Sequence, residues 1–170
     1  GTAPKATPNT SVAEETGLRI DETIIVDRPV AEVYKYWRNL ENLPQIMRHL
    51  ETVRMLDSRN SYWKIKGPAG MNFEWYAEII NDFPNERIGW KSLHSADVDN
   101  AGSVHFQPIN DNRTQIDVTL KYAPPAGKIG NAFAKLLGED PKSQIAEDLE
   151  SFKSLMESQQ LASTTEPFGD

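Results

Sequence analysis

Between Thr52 and Tyr122 the chain offers six strand candidates in close succession, with no helical stretch between them. They are Thr52–Leu56, Ser61–Lys66, Asn72–Asn81, Arg87–Leu93, Gly102–Pro108 and Thr114–Tyr122. Period-two alternation is plain in two of them. Phe73, Trp75, Ala77 and Ile79 alternate with Glu74, Tyr76 and Glu78, and Thr114, Ile116, Val118, Leu120 and Tyr122 alternate with Gln115, Asp117, Thr119 and Lys121. Asp57–Asn60 and Asp111-Asn112 supply turn residues between neighbours. Short, half-polar, consecutive strands predict an antiparallel meander with one solvated face.

The flanking segments say what covers the other face. Arg19–Val26 reads as a further strand, with Ile20, Glu22, Ile24 and Val26 on one side. Pro29 then opens a helix that buries Val30, Val33, Tyr34 and Trp37, with Asp27 as its expected cap. A second short helix is predicted through Leu43–Met47. After Pro124-Pro125 a helical segment carries Ile129, Phe133, Leu136 and Leu137. Asp140-Pro141 caps a last helix with Ile145, Leu149, Phe152 and Met156 on one stripe and Glu147, Asp148, Glu150 and Lys153 expected outside. That helix has to cover the sheet. One helix cannot fill a concave sheet evenly, so an apolar cavity is expected beneath it. Residues 1–17 read as a flexible leader, 18–160 as one ligand-binding domain and 161–170 as a flexible tail.

Composition removes several classes of function. The formal net charge of −7 disfavours nucleic acid as a partner, since phosphate binding needs clustered Lys and Arg. With no cysteine the chain has no disulfide, no thiolate chemistry and no Cys-based metal site. No stretch approaches the length of apolar residues that spans a bilayer. The expected setting is the cytoplasm, with a membrane tether ahead of Gly1 left open.

The order of elements, and particular residues within it, resemble the START-like helix-grip (SRPBCC) superfamily. Within it the chain is similar to the bacterial polyketide cyclase/dehydrase-like branch, which includes coenzyme Q-binding START proteins. The match is carried by Asp27-Arg28-Pro29-Val30 with Val33-Tyr34 and Trp37, Leu43-Pro44, Phe73-Glu74-Trp75-Tyr76-Ala77-Glu78-Ile79, Ile88-Gly89-Trp90, Tyr122 with Pro124-Pro125-Ala126-Gly127, and Asp148-Leu149 with Phe152-Lys153. The resemblance implies an α+β helix-grip fold. In it a curved antiparallel seven-stranded sheet wraps a long C-terminal helix, with two short helices after the first strand. It also implies a cavity for a hydrophobic small molecule such as a polyketide, a quinone or other isoprenoid, or a lipid.

By face and by resemblance, the pocket is expected to draw on Trp63, Phe73, Trp75, Trp90, Val104, Phe106 and Val118 from the sheet, Phe133 and Leu137 from the connecting helix, and Leu149 and Phe152 from the last one. Each tryptophan also has the ordinary reading of core, since aromatics dominate core area. In the resembled branch, loops like Gly67–Gly70 sit at the cavity mouth, which makes Pro68 and Gly70 gate candidates, and Gly127 and Gly130 offer a second pliable segment.

No catalytic constellation stands out. His49, His94 and His105 fall in different elements without metal-ligand spacing, so no metal and no cofactor are expected. His94 lies near Asp97 as a candidate oriented base, but reads more simply as a solvated loop residue. Glu74 and Glu78 share a strand face about 13 Å apart, too far for a coupled acid–base pair. Arg38, Arg48 and Arg54 are candidates to orient a ligand oxygen, with surface placement the plainer account. There is no GxSxG nucleophile elbow. The leading expectation is a binding or carrier domain without enzymatic activity. The alternatives are a cyclase or dehydratase that uses the same cavity, and an interaction module whose cavity has collapsed.

Overall fold

The computed structural model describes residues 18–67, 70–123 and 140–165, with side chains in the last helix described through residue 158. Seven strands form one antiparallel sheet: β1 (Leu18–Val26), β2 (Leu50–Met55), β3 (Asn60–Lys66), β4 (Asn72–Phe83), β5 (Arg87–Ser92), β6 (Asp99–Asn110) and β7 (Arg113–Ala123). Their order across the sheet is β1-β7-β6-β5-β4-β3-β2. The six expected strands of the meander are therefore sequential neighbours, and β1 closes on β7 at one edge. Helix α1 (Val30–Arg38) and a 3-10 helix (Leu40–Gln45) carry the chain from the β1 edge to the β2 edge. Helix α2 (Pro141–Thr165) covers the concave face of this curled half-barrel. It runs into the segment that the sequence assigns to the tail. The helical segment expected after Pro124 lies outside the described residues.

Alternation does what the pattern predicts. Phe73, Trp75, Ala77 and Ile79 are buried along β4, and Thr114, Ile116, Val118 and Tyr122 along β7. Ile80 falls on the outer side of the same alternation and is exposed, and the register with β5 shifts between Ile79 and Asn81. β6 begins before the expected Gly102, and its first residues add Asn100 to the buried face.

Two details of the helix starts differ. Asp27 does not cap α1: Pro29 holds the N-cap position without a side-chain bond. The Asp27 carboxylate instead takes the Arg113 guanidinium at 2.8 Å. A charged partner across the sheet edge outcompetes a local cap. At α2 the expected cap is made: Asp140 accepts the Ser143 hydroxyl at 2.6 Å and the Ser143 N–H at 3.3 Å, with Pro141 in the first helical position. The second short helix is a 3-10 helix that buries Leu40 and Leu43, with Pro44 inside it.

Packing of α2 is anchored by Phe152, which is fully buried with its ring centroid 5.3 Å from Trp37 and 5.7 Å from Tyr36. Truncating a buried Phe costs about 3–5 kcal/mol. α2 also lies along β1, the sheet's first edge. Lys142 Nζ donates to the Asp21 carbonyl and Lys153 Nζ to the Ile25 carbonyl, each at 2.9 Å. Glu157 accepts the Asp27 N–H at 3.0 Å. These bonds satisfy edge groups that would otherwise invite another strand. The far end of β4 is tied to α1 through Asp82, which accepts from Arg38 Nε at 2.8 Å and from the Tyr34 hydroxyl. Burial and this bond push the Tyr34 hydroxyl up to about 12.

One glycine is dictated by a neighbour. Gly102 stands opposite Trp90 in the register, and a Cβ there would meet Trp90 Cζ2 at 2.5 Å. The indole therefore lies directly over the β6 backbone. Gly102→Ala is expected to destabilise the fold by about 1–3 kcal/mol through this overlap, read as a lower urea midpoint. An unchanged midpoint would show that the indole is free to move away.

Candidate functional site

The sheet splits into two regions along its length. At one end α1 and the Phe152 half of α2 pack it solidly: Phe106 meets Tyr34 edge-on at 5.7 Å, and Ile88, Val104 and Ile116 are wholly buried. At the other end, beneath the first turns of α2, a cavity of about 130 Å³ remains. Sheet residues Ile20, Trp63, Ile65, Trp75, Trp90, Val118, Leu120 and Tyr122 line it from one side, and Pro141, Gln144, Ile145 and Asp148 from α2. Leu43, Met47, His49 and Leu50 close it on the β2 side, and Val98 and Asn100 at the start of β6.

The floor of the cavity is aromatic. Trp63 lies nearly parallel to Trp75, with centroids 6.1 Å apart, and to Trp90 at 6.4 Å. Trp63 and Trp75 are direct cross-strand partners, so the register between β3 and β4 places them side by side. Trp63 Nε1 donates to Ser61 Oγ at 2.8 Å, while Trp75 Nε1 is buried without a partner among the described residues. Besides the indoles, the polar side chains at the lining are few: His49, Asn100, Tyr122, Gln144 and Asp148. Asn100 is held by its own bonds, donating Nδ2–H to the Val98 carbonyl at 2.9 Å and its N–H to Ser92 Oγ at 3.0 Å.

Asp148 corrects the expectation drawn from its sequence. Expected on the outer face of the last helix, it is only 4 % exposed and lines the cavity. The reason is helical geometry: Asp148 follows Ile145 by three positions and precedes Phe152 by four, so it shares their face. Its acidic neighbours Glu147 and Glu150 masked that spacing. Burial pushes the Asp148 carboxyl above the usual carboxylate range. The Gln144 side chain, donating at 3.0 Å, the Arg48 backbone N–H, and the nearby His49 and Arg48 pull it partway back. Tyr122, also at the cavity, is raised by burial.

Among the residues expected in the pocket, Trp63, Trp75, Trp90 and Val118 line the cavity. Phe73, Val104, Phe106, Leu149 and Phe152 are buried in the packed core away from its lining. Phe106 and Phe152 are taken up by α1, and the Phe73 ring lies against Gly67 at the β3–β4 turn. Gly70 is exposed, with φ of 77° and open space around it, and does not touch the cavity. Phe133, Leu137, Pro68, Gly127 and Gly130 lie outside the described residues. Arg38 is bound to Asp82 and the Ser58 carbonyl, Arg48 reaches Glu147 at 3.4 Å, and Arg54 lies over the Tyr62 ring; none lines the cavity. Among the described residues no group of three or more His, Asp or Glu could hold a metal ion, and no helix is long and apolar enough to cross a membrane.

A curled antiparallel sheet gripping a terminal helix over an apolar cavity defines a START-like, helix-grip protein. The chain belongs to the family described as polyketide cyclase / dehydrase and lipid transport, whose model matches residues 26–150. An uncharacterized 17.2 kDa protein of Streptomyces lincolnensis is 28% identical over 141 residues, covering 82% of this chain and 89% of that one. A crystal structure from Deinococcus radiodurans superposes with a TM-score of 0.68 at 31% identity, over 84% of this chain and 99% of that one. The Zhui aromatase/cyclase from Streptomyces sp. R1128 has a TM-score of 0.63 at 17% identity, over 83% and 94% of the two chains, a likeness of fold.

The raised Asp148 carboxyl has a consequence for stability. A carboxyl whose folded pKa exceeds its unfolded value opposes folding wherever it is ionised. Wild-type stability relative to Asp148→Asn is therefore most favourable below about pH 4, the unfolded carboxylate range, and declines as pH rises through the raised folded value. Urea midpoints of both proteins at about pH 4 and pH 7 should show the Asn variant gaining on the wild type at the higher pH. A gap independent of pH would contradict the burial of an ionisable group there.

Proposed function

We propose that this protein binds and carries a hydrophobic small molecule in the cavity between the sheet and α2. The observation that carries this reading is the cavity itself, almost wholly apolar and floored by Trp63, Trp75 and Trp90. Family membership supports the same reading, since lipid transport stands beside cyclase and dehydrase in the family's description. The volume sets the scale of the ligand. An apolar cavity of about 150 Å³ accepts benzene, so about 130 Å³ suits a single ring or a short prenyl or acyl segment. The three tryptophans at the lining favour the ring.

A cyclase or dehydratase is the second reading, favoured by one observation: Asp148 is a titratable group at the cavity with its carboxyl raised by burial. Raised acids are the kind that donate protons near neutral pH. The carrier reading ranks first because the acid stands without an ordered chain of acid, base and nucleophile around it among the described residues. An interaction module with a collapsed cavity ranks last, because the lining residues leave room that core side chains would fill.

Native mass spectrometry of protein purified from its own host, followed by organic extraction, tests the function. A co-purifying aromatic or isoprenoid molecule, recovered with unchanged mass after incubation, is the expected result. Conversion of the extracted molecule with loss of water would favour the enzyme. Filling the cavity with Ile145→Trp should lower the amount of bound ligand by at least about tenfold, a loss on the order of 1.4 kcal/mol or more, while the protein stays folded. Undiminished ligand in that variant would move the site elsewhere.

A further inference from the structure

The polar end of the cavity specifies more than apolarity, and its role in ligand choice rests on the carrier function proposed for this protein. Asp148 presents a carboxylate, which when ionised can only accept hydrogen bonds. It receives one side-chain bond, from Gln144 Nε2 at 3.0 Å, and the backbone N–H of Arg48. No described cation lies within ion-pair distance of it. The Arg48 guanidinium reaches out to Glu147 at the surface, where its side chain is 67% exposed. His49, which also lines the cavity, and Arg48 act on the carboxylate only from beyond ion-pair distance. A buried carboxylate without a direct ion pair costs stability, and an asparagine of the same shape would avoid that cost. Beyond the two bonds it already accepts, the carboxylate has acceptor positions left for a donor that enters the cavity.

The opposite side of the same small space is aromatic. Trp63, Trp75 and Trp90 line the cavity with near-parallel indoles. The net charge of −7 adds a long-range bias toward positively charged molecules. The acceptor and the overall charge select the same sign, and the aromatic lining suits a ring.

We propose that the ligand is a small aromatic or arylalkyl amine, bound as a cation with its ammonium group on Asp148 and its ring against the tryptophan floor. Gln144 orients the carboxylate and leaves its remaining acceptor positions to the ammonium. The ring contributes the apolar part of affinity, and the charge-assisted bond to Asp148 decides which ring-bearing molecules are kept.

Three probes of nearly equal shape separate the contributions: 2-phenylethylamine, propylbenzene and phenylacetate. Each is titrated into the full chain and into Asp148→Asn at about pH 7.5, where the amine is protonated, following tryptophan indole N–H resonances. The amine should bind the wild type roughly tenfold or more tightly than propylbenzene, as a charge-assisted bond implies, with phenylacetate weakest. Asp148→Asn should erase the preference for the amine while propylbenzene binding changes by less than about twofold, since the ring contacts are untouched. Propylbenzene binding the wild type as well as the amine, or an amine preference surviving in Asp148→Asn, overturns the proposal and leaves the hydrophobic-carrier reading standing. Failure of all three probes overturns both. Should Asp148→Asn not fold, the wild-type ratio of amine to propylbenzene decides alone.

Discussion

Phe152 sits on α2 with its ring against Tyr36 and Trp37, and this contact sets how far the helix can enter the concave side of the sheet. Around it Leu149, Met156 and Val33 are buried almost completely. The helix is held tightly in that half and cannot also settle onto the sheet at its other end. There Gln144, Ile145 and Asp148 face the tryptophans across open space. The cavity is thus a by-product of good packing elsewhere: a helix laid on a curved sheet touches closely over only part of its length.

The edges of the sheet matter for the same reason. α2 is bound to β1 through Lys142, Lys153 and Glu157, which supply or accept main-chain bonds at the otherwise open edge. On the far edge Glu41 accepts the Met55 N–H at 2.9 Å. A half-barrel with both edges tied in this way keeps its curvature, and the curvature keeps the cavity open. Fixing the sheet also fixes the tryptophan floor, because Trp63 and Trp75 are paired by register and Trp90 occupies the space that a side chain at Gly102 would take.

Within this frame the few polar groups acquire meaning. Trp63 and Asn100 have partners inside the protein. Asp148 is bonded to Gln144 and the Arg48 backbone, yet no described cation pairs with its charge. In a cavity with almost no other polar surface, one such group discriminates among ligands more sharply than any apolar contact, since apolar contacts scale with area and accept any molecule of suitable shape.

The fold was legible because its signals are local. Alternation along Asn72–Ile79 and Thr114–Tyr122, turns between successive strands and the capped start at Asp140-Pro141 are each set by a few neighbouring residues. From them come the antiparallel sheet, its order and the covering helix. Identity as tryptophan made Trp63, Trp75 and Trp90 visible as candidates, but Phe73, Phe106 and Phe152 carried the same signal and ended in solid core. Which aromatic meets a helix and which meets empty space depends on where α1 and α2 cross the sheet, a matter of long-range packing. Asp148 shows the same limit from the other side. Its position on the inner face follows from helical spacing, yet acidic neighbours made it look like solvent-facing surface. Only the tertiary structure decided that this carboxylate is buried, because burial depends on the strands that α2 happens to cover and not on the residues beside it in the chain.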